Sequence, residues 1–405
     1  MDLSQKLRRF VSGPEHMQKR GQTADLRFLG GKEMANPFGS YYLVEHCYGL
    51  DYGHGRFTLA CILAVDWDRM AFVAKDEAVQ NIELDKTIFL DTEATGLSGG
   101  AGTYVFLVGV GFVQAGTVIV RQYLMRDYHE EAAMLFDLYQ LIKQFDAIVT
   151  FNGKCFDWPL LRDRFTLARF EPLRKNYIHL DLLHAARRLW RDSLPSCSLD
   201  SLEAFVLKVA RERDIPGSEI PQRYFDFIRT GRGELLVDIL EHNQADVLSL
   251  VTLVGSLNLA VGKPAVEIKS DSLCLALARL SIQHRQWHRA IEFLQRGISL
   301  ARSNKTRCSA CTQLALIYRR LSLWEQAEEI WLMLAEEHGD VQACEELAKY
   351  YEHVCRDFTR AKTLAKRGLA LALAREPSRT AAFEYRLDRL DRKLARLEQQ
   401  SLQVN

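Results

Sequence analysis

Apolar and polar positions divide the chain into stretches of different rhythm. From residue 82 to 262, short apolar runs alternate with longer amphipathic ones. Runs at 87–91, 105–113 and 117–125 read as strands, and Val113-Gln-Ala-Gly-Thr117 as a hairpin-type break between the last two. Residues 130–144 place Ala133, Leu135, Phe136, Leu138, Leu141 and Ile142 at helical spacing. Residues 147–152 are apolar on both faces and predict a central strand. A helix is expected over 157–170, with Asp157 at its start. Three antiparallel strands followed by β-α units predict an α/β fold: a mixed β-sheet flanked by helices.

Residues 1–81 are Gly-rich and uneven. Runs at 40–45 and 57–63 alternate enough for strands, and the segment is expected to pack as an extension on the 82–262 domain. His46, Cys47, His54 and Cys61 match no standard zinc spacing and read as strand and loop residues. After a polar linker at 263–272, the chain repeats. Leu277-Ala278, Leu314-Ala315 and Leu347-Ala348 correspond, as do Trp287, Trp324 and Phe358, and Ala290, Ala327 and Ala361. The period is 37 and then 34, with a one-residue slip at the last Leu-Ala pair. Small residues at helix contacts and an aromatic between paired helices resemble tetratricopeptide repeats, so residues 273–405 are expected to be all-α. Phe383, Leu387, Leu390, Leu394 and Leu397 form a heptad stripe suited to a capping helix.

Length and composition narrow the class. A chain of 405 residues exceeds one ordinary domain. Hydrophobic content of 48% and charged content of 26% are those of a folded, water-soluble protein. A net charge of +1 gives no global field to recruit nucleic acid, so such binding needs local patches. Nine cysteines are scattered without a secretory framework, and the opening Met1-Asp-Leu-Ser-Gln-Lys-Leu-Arg-Arg carries no apolar signal core. Apolar stretches near 105–113 and 247–259 read as too short or too polar to span a bilayer. A cytoplasmic protein with reduced thiols is the expectation.

Three acidic clusters carry the chemistry. In Thr87-Ile-Phe-Leu-Asp-Thr-Glu-Ala94, Asp91 and Glu93 end an apolar strand and point to one face. Like charges held side by side repel, and a hard divalent cation such as Mg²⁺ or Mn²⁺ resolves the conflict. The second cluster, Ala147-Ile-Val-Thr-Phe-Asn-Gly-Lys-Cys-Phe-Asp157, runs a strand through Asn152 and a Gly turn into Asp157. In the third, His242 and Asp246 lie four apart and share a helix face.

In this order the clusters resemble a DnaQ-like (DEDD) 3′–5′ exonuclease domain of the RNase H-like fold, over roughly residues 82–262. Asp91 and Glu93 match its first motif, Asp157 its second and Asp246 its third. Within that group the chain resembles the YprB-type proteins, through Gly102-Thr-Tyr-Val-Phe-Leu-Val-Gly109, Asn152-Gly-Lys-Cys-Phe-Asp157, His179-Leu-Asp-Leu-Leu-His184 and His242-Asn-Gln-Ala-Asp-Val247. The resemblance implies two divalent ions shared among Asp91, Glu93, Asp157 and Asp246, with His242 as base or water orienter, and release of 5′-mononucleotides from a 3′ end. The family carries a Tyr four residues before the last Asp or a His five before it. Here His242 stands at the four-residue spacing.

Further residues are candidates for substrate contact. Gly96-Leu-Ser-Gly-Gly-Ala-Gly102 would let a nucleotide approach the backbone at Gly96 and Leu97, and no GK[ST] follows it. Asn152 either holds the turn or touches substrate. Lys154 either meets phosphate or is simply exposed. Asp181 reads as a supporting or helix-start acid. Residues 159–191 hold eight Lys/Arg against three Asp/Glu, a modest basic patch or a solvated face. Cys308 and Cys311, one helical turn apart with no second pair, read as packing residues. The leading expectation is a metal-dependent 3′–5′ exonuclease acting on single-stranded RNA or DNA, with a repeat module for a protein partner. A non-catalytic nucleic-acid-binding scaffold and a structure-selective endonuclease are the alternatives.

Overall fold

The computed structural model describes residues 26–96, 102–174, 176–211 and 215–404, which divide into two compact units at residues 262 and 263. The first unit is built on one seven-stranded mixed sheet. Its strands are β1 (Lys32–Asn36), β2 (Gly39–Gly49), β5 (Thr87–Ala94), β6 (Val105–Gln114), β7 (Thr117–Leu124), β8 (Ala147–Thr150) and β9 (Ile178–Asp181), in the order β1-β2-β7-β6-β5-β8-β9. A separate two-residue hairpin pairs β3 (Gly53–His54) with β4 (Phe57–Thr58). Five strands from β1 to β5 in that order are antiparallel, and β8 and β9 run parallel to β5. The turn between β6 and β7 is Ala115-Gly116, both at positive φ (49° and 74°), the twist that a two-residue hairpin requires.

Helices cover both faces. On one, Ile88 and Leu90 of β5 join a core with Leu135 and Leu138 of the helix Glu131–Ile142, Leu161 and Phe165 of the helix Asp157–Leu167, and Tyr224 of the helix Ile220–Thr230. On the other lies the helix Val237–Gly262. It is long and apolar enough to cross a membrane, which the sequence reading of its apolar stretch had not allowed for. Here 78% of its most apolar window is buried inside the fold.

Residues 32–49 join the sheet itself. β1 and β2 are strands of the same sheet, because β2 completes the ladder on β7 over eight residue pairs from Tyr42–Leu124 to Gly49–Thr117. The strand expected over 57–63 is confined to Phe57–Thr58. Leu59–Ala64 is a 3₁₀ turn whose Leu59 and Ile62, three apart, face inward together. Cys61 lies against Gly255 of the long helix, where an added Cβ would come within 2.5 Å of its sulfur. The strand β8 is interior but next to the edge strand β9, and the centre of the sheet is β6.

The second unit is all-helical. Three helix pairs follow one another: Asp271–Gln283 with Trp287–Leu300, Asn304–Arg320 with Trp324–Glu337, and Val341–Tyr350 with Phe358–Arg375. The repeated aromatics Trp287, Trp324 and Phe358 each open the second helix of a pair. Two residues before each, Arg285, Ser322 and Arg356 hold the left-handed conformation at φ 57°, 60° and 57°. The one-residue slip has a structural cause. The third pair contains a π-helical turn, Tyr351–Cys355, which absorbs the extra residue between Leu347 and Phe358. The final helix, Thr380–Val404, packs on Phe358–Arg375 through Phe383, which meets Gly368. Cys311 is buried and Cys308 half-buried on one helix.

Candidate active site

Asp91 and Glu93 end β5 on the sheet face covered by the helix Val237–Gly262. Asp91 stands opposite Gly109 of β6, and Glu93 opposite Leu107. Gly109 is a packing necessity, since a Cβ there would come within 2.2 Å of Asn243 Oδ1. Gly111, two residues on, would meet Val247 at 2.7 Å in the same way. These two glycines let the long helix press against the sheet, and that contact brings His242 and Asp246 to β5.

Asn243 fills the space that Gly109 leaves. Its Nδ2 donates to Asp91 Oδ2 (2.8 Å), while Gln122 Nε2 donates to Asn243 Oδ1 (2.9 Å) and to the Leu240 carbonyl (2.8 Å). Asn243 and Gln122 are both buried. The chain Gln122–Asn243–Asp91 thereby fixes the first carboxylate from behind. Neither amide stood out in the sequence, although Asn243 adjoins His242 and Gln122 sits directly across β7 from Gly109.

Asp157 opens its helix at the end of the loop after β8. Asn152 turns that loop in the left-handed region at φ 64°, a conformation Asn tolerates. Buried Asp181 holds the loop from below, accepting from the backbone amides of Asn152 (2.8 Å) and Lys154 (3.2 Å), and it caps the next helix at Leu183 (3.1 Å). Asp181 is thus committed to backbone support. Asp157 itself accepts from the Thr92 hydroxyl, which ties the second acid to the strand of the first two.

His242 is set between charges. Its Nε2 lies 3.5 Å from Asp246 Oδ2 and 3.9 Å from Glu93 Oε1, and its Nδ1 lies 3.0 Å from Arg211 Nη1. A guanidinium only donates, so Nδ1 accepts and the ring hydrogen on Nε2 faces the two acids. Arg211 also donates to Asp246 and, at 2.5 Å, to Glu203. Glu203 in turn accepts from Ser249 (2.5 Å), whose hydroxyl contacts His54 Nε2 at 2.7 Å. Sequence reasoning missed Arg211 and Glu203. They lie 31 or more residues before His242, around a π-helical turn (Glu203–Leu207) with no local motif to mark it.

The electrostatics follow from burial. Asp91 is held well above the usual carboxylate range, first by burial and then by Asp246, Glu93 and Asp157. Glu93 is raised by burial, Asp246 and Asp157, and Asp157 by burial, to about 6. Asp246 is also raised by burial, against the opposing pull of Arg211 and His242. Asp246 and Asp157 thus raise both acids of β5, as at a site short of positive charge.

Among the described residues, no three His, Cys, Asp or Glu side chains are already drawn into one shell around a metal position. The donor set still fits a hard divalent cation. It is all oxygen, it comes from a strand, a helix start and a late helix, and it carries excess negative charge against one guanidinium. The remaining candidates sit further out. Lys154 is exposed, with its ammonium 3.8 Å from Asp76. Gly96 has open space where a Cβ would be, and Leu97 lies outside the described residues. In the basic stretch, Arg164 is buried against Glu131 and Arg174 pairs with Asp146, so part of that charge serves the fold.

This sheet and its helices are those of a nuclease-like superfamily, and residues 88–258 match the model of the RNase_H superfamily. The chain belongs to the RNase H superfamily. It is 33% identical over 357 residues, 85% of this chain and 84% of the relative, to the protein called Uncharacterized protein YprB of Bacillus subtilis (strain 168).

Proposed function

We propose that this protein is a metal-dependent 3′–5′ exonuclease that hydrolyses phosphodiester bonds of single-stranded nucleic acid, and that its helical unit, read as tetratricopeptide-like, engages a protein partner. The observation that carries the reading is the meeting of Asp91, Glu93, Asp157 and Asp246, four half-buried or buried acids, of which Asp246 and Asp157 raise both Asp91 and Glu93. Divalent ions held by these four would supply charge neutralisation and Lewis acidity at a scissile phosphate. Asn243 fixes Asp91, and Thr92 fixes Asp157, so two of the acids are oriented by their own hydrogen bonds. His242 offers Nε2 toward the acids. With Arg211 on Nδ1 it presents a hydrogen there, and release of Arg211 would let the proton move to Nδ1 and leave Nε2 to accept from water. Arg211 would give up Asp246 and His242 together, because one guanidinium holds both.

Linear and circular single strands of one sequence, incubated with Mn²⁺, test the polarity. Shortening of the linear strand from its 3′ end with the circle intact is expected. Cutting of the circle would make the protein an endonuclease built on the same acids. Binding of both strands without cleavage would favour the scaffold.

A further inference from the structure

Beside the acids lies a cavity of about 490 Å³ whose aromatic side has no role in the exonuclease reading. His242 and Arg211 form the wall it shares with the carboxylates. The opposite wall is aromatic: Tyr52 leans on Tyr48, with ring centroids 4.5 Å apart and planes tilted by 56°, and Gln244 donates to the Tyr48 hydroxyl at 2.5 Å. Directly opposed residues share a sheet face, so Asp91, Gly109, Gln122 and Val44 lie on one side, and Tyr48, four residues on from Val44, lies there too. The cavity and the acids therefore open on the same face.

The aromatic wall is built in. The Tyr48 ring is half-buried, while Tyr52 remains 43% exposed and available to a ligand. The β3–β4 hairpin that follows Tyr52 is pinned by the Arg56 amide, which donates to the Leu207 carbonyl (2.8 Å). Gly55 makes this approach possible, since it sits at φ +63° and a Cβ there would come within 2.3 Å of that carbonyl. His54 anchors the hairpin to the long helix through Ser249. A fixed aromatic face, polar groups at its base and a charged wall leading to a phosphodiester-cleaving site match the chemistry of a nucleotide: a flat π-surface to stack and a phosphate to place.

We infer that this cavity is a nucleobase subsite, in which Tyr52, backed by Tyr48, stacks the base of the 3′-terminal nucleotide while its phosphate reaches the carboxylates. The inference rests on the nuclease reading for the position of that phosphate. It also assigns β2 and the β3–β4 hairpin to substrate binding.

The test uses the full chain in EDTA and a 5′-fluorescein single-stranded decamer, with or without the base of its 3′-terminal nucleotide, read by anisotropy. Wild type is expected to bind the base-free strand about tenfold more weakly, within the range of base–aromatic stacking. Tyr52→Ala should bind the intact strand about tenfold more weakly and show no further loss on removal of the base. Tyr52→Trp should restore the discrimination. Equal affinity of wild type for the two strands, or losses from Tyr52→Ala and base removal that multiply, would overturn the subsite. Cleavage of an unmodified strand with Mn²⁺, measured in parallel, separates the two claims. Cleavage without base discrimination removes the subsite alone, and neither binding nor cleavage removes both.

Discussion

Arg211 shows most clearly how single residues set the state of the site. Its guanidinium joins Glu203, Asp246 and His242, three groups that burial would otherwise leave in conflict. Arg211→Gln should lower the melting temperature in EDTA, by the equivalent of roughly 3–5 kcal/mol, because it strands buried acids. It should also enlarge the gain in melting temperature on adding Mn²⁺. An unchanged melt in EDTA would remove Arg211 from that role. Asp157 gives the sign of a pH effect. Its folded-state carboxyl is raised from 3.8 to about 6 by burial, so the folded chain holds the proton more tightly than the unfolded chain does. Its part of the stability is therefore lost as pH rises from about 4 through about 6. In EDTA the melting temperature should fall across that window, and Asp157→Asn should flatten the fall. The four acids and His242 were legible in the sequence because each sits in a short motif. Arg211, Glu203, Gln122 and Asn243 were not, because their roles arise from tertiary contact and no local spacing encodes them.

Strands and helices carry the next level. The acids meet because Gly109 and Gly111 let the helix Val237–Gly262 approach β6, and Gly109→Ala should test that contact. The added methyl would collide with Asn243, cost about 1–3 kcal/mol in thermal or urea melts and reduce cleavage by displacing Asn243 from Asp91. Gly217→Ala, which meets no neighbour, is the control. Full activity in Gly109→Ala would show that the Asn243 contact is dispensable. In the helical unit the π-turn buries Glu352 under Arg386 (2.6 Å), Arg389 (2.6 Å) and Lys393 (2.9 Å) of the last helix. Burial pushes its carboxyl up, but Arg389, Lys393 and His353 outweigh it and hold it down at about 2, so its stabilisation is full above about 4.5 and is lost as pH falls from there toward 2. Glu352→Gln should raise hydrogen exchange across residues 380–404, and unchanged exchange would mean that buried Phe383 and Leu390 and the Lys362–Asp391 pair hold that helix without it. Period and punctuation predicted β5 to β8 within a few residues, and the repeated Trp287, Trp324 and Phe358 each open the second helix of a pair. They misread 57–63, because an apolar run that short fits a strand or a 3₁₀ turn, and only the docking of Leu59 and Ile62 decides between them.

At the scale of the molecule, the chain is an RNase H superfamily unit followed by an all-helical unit of paired helices. The α/β pattern and the helical repeat both announced themselves in the sequence. Membership of β1 and β2 in the sheet did not. Pairing between strands separated by some 70 residues leaves no periodic trace, and the ladder from Tyr42–Leu124 to Gly49–Thr117 exists only after folding. That ladder completes the sheet and also carries Tyr48 to the rim of the carboxylate site. In the proposed function the four carboxylates are catalytic. The direct measurement is degradation of 5′-labelled single-stranded RNA and DNA with Mn²⁺ by wild type and by Asp91→Asn, with melting curves to confirm that both are folded. A ladder shrinking from the 3′ end in wild type and absent in the folded variant is the predicted result. Equal cleavage by the two proteins, or no cleavage by folded wild type on either nucleic acid, would contradict it.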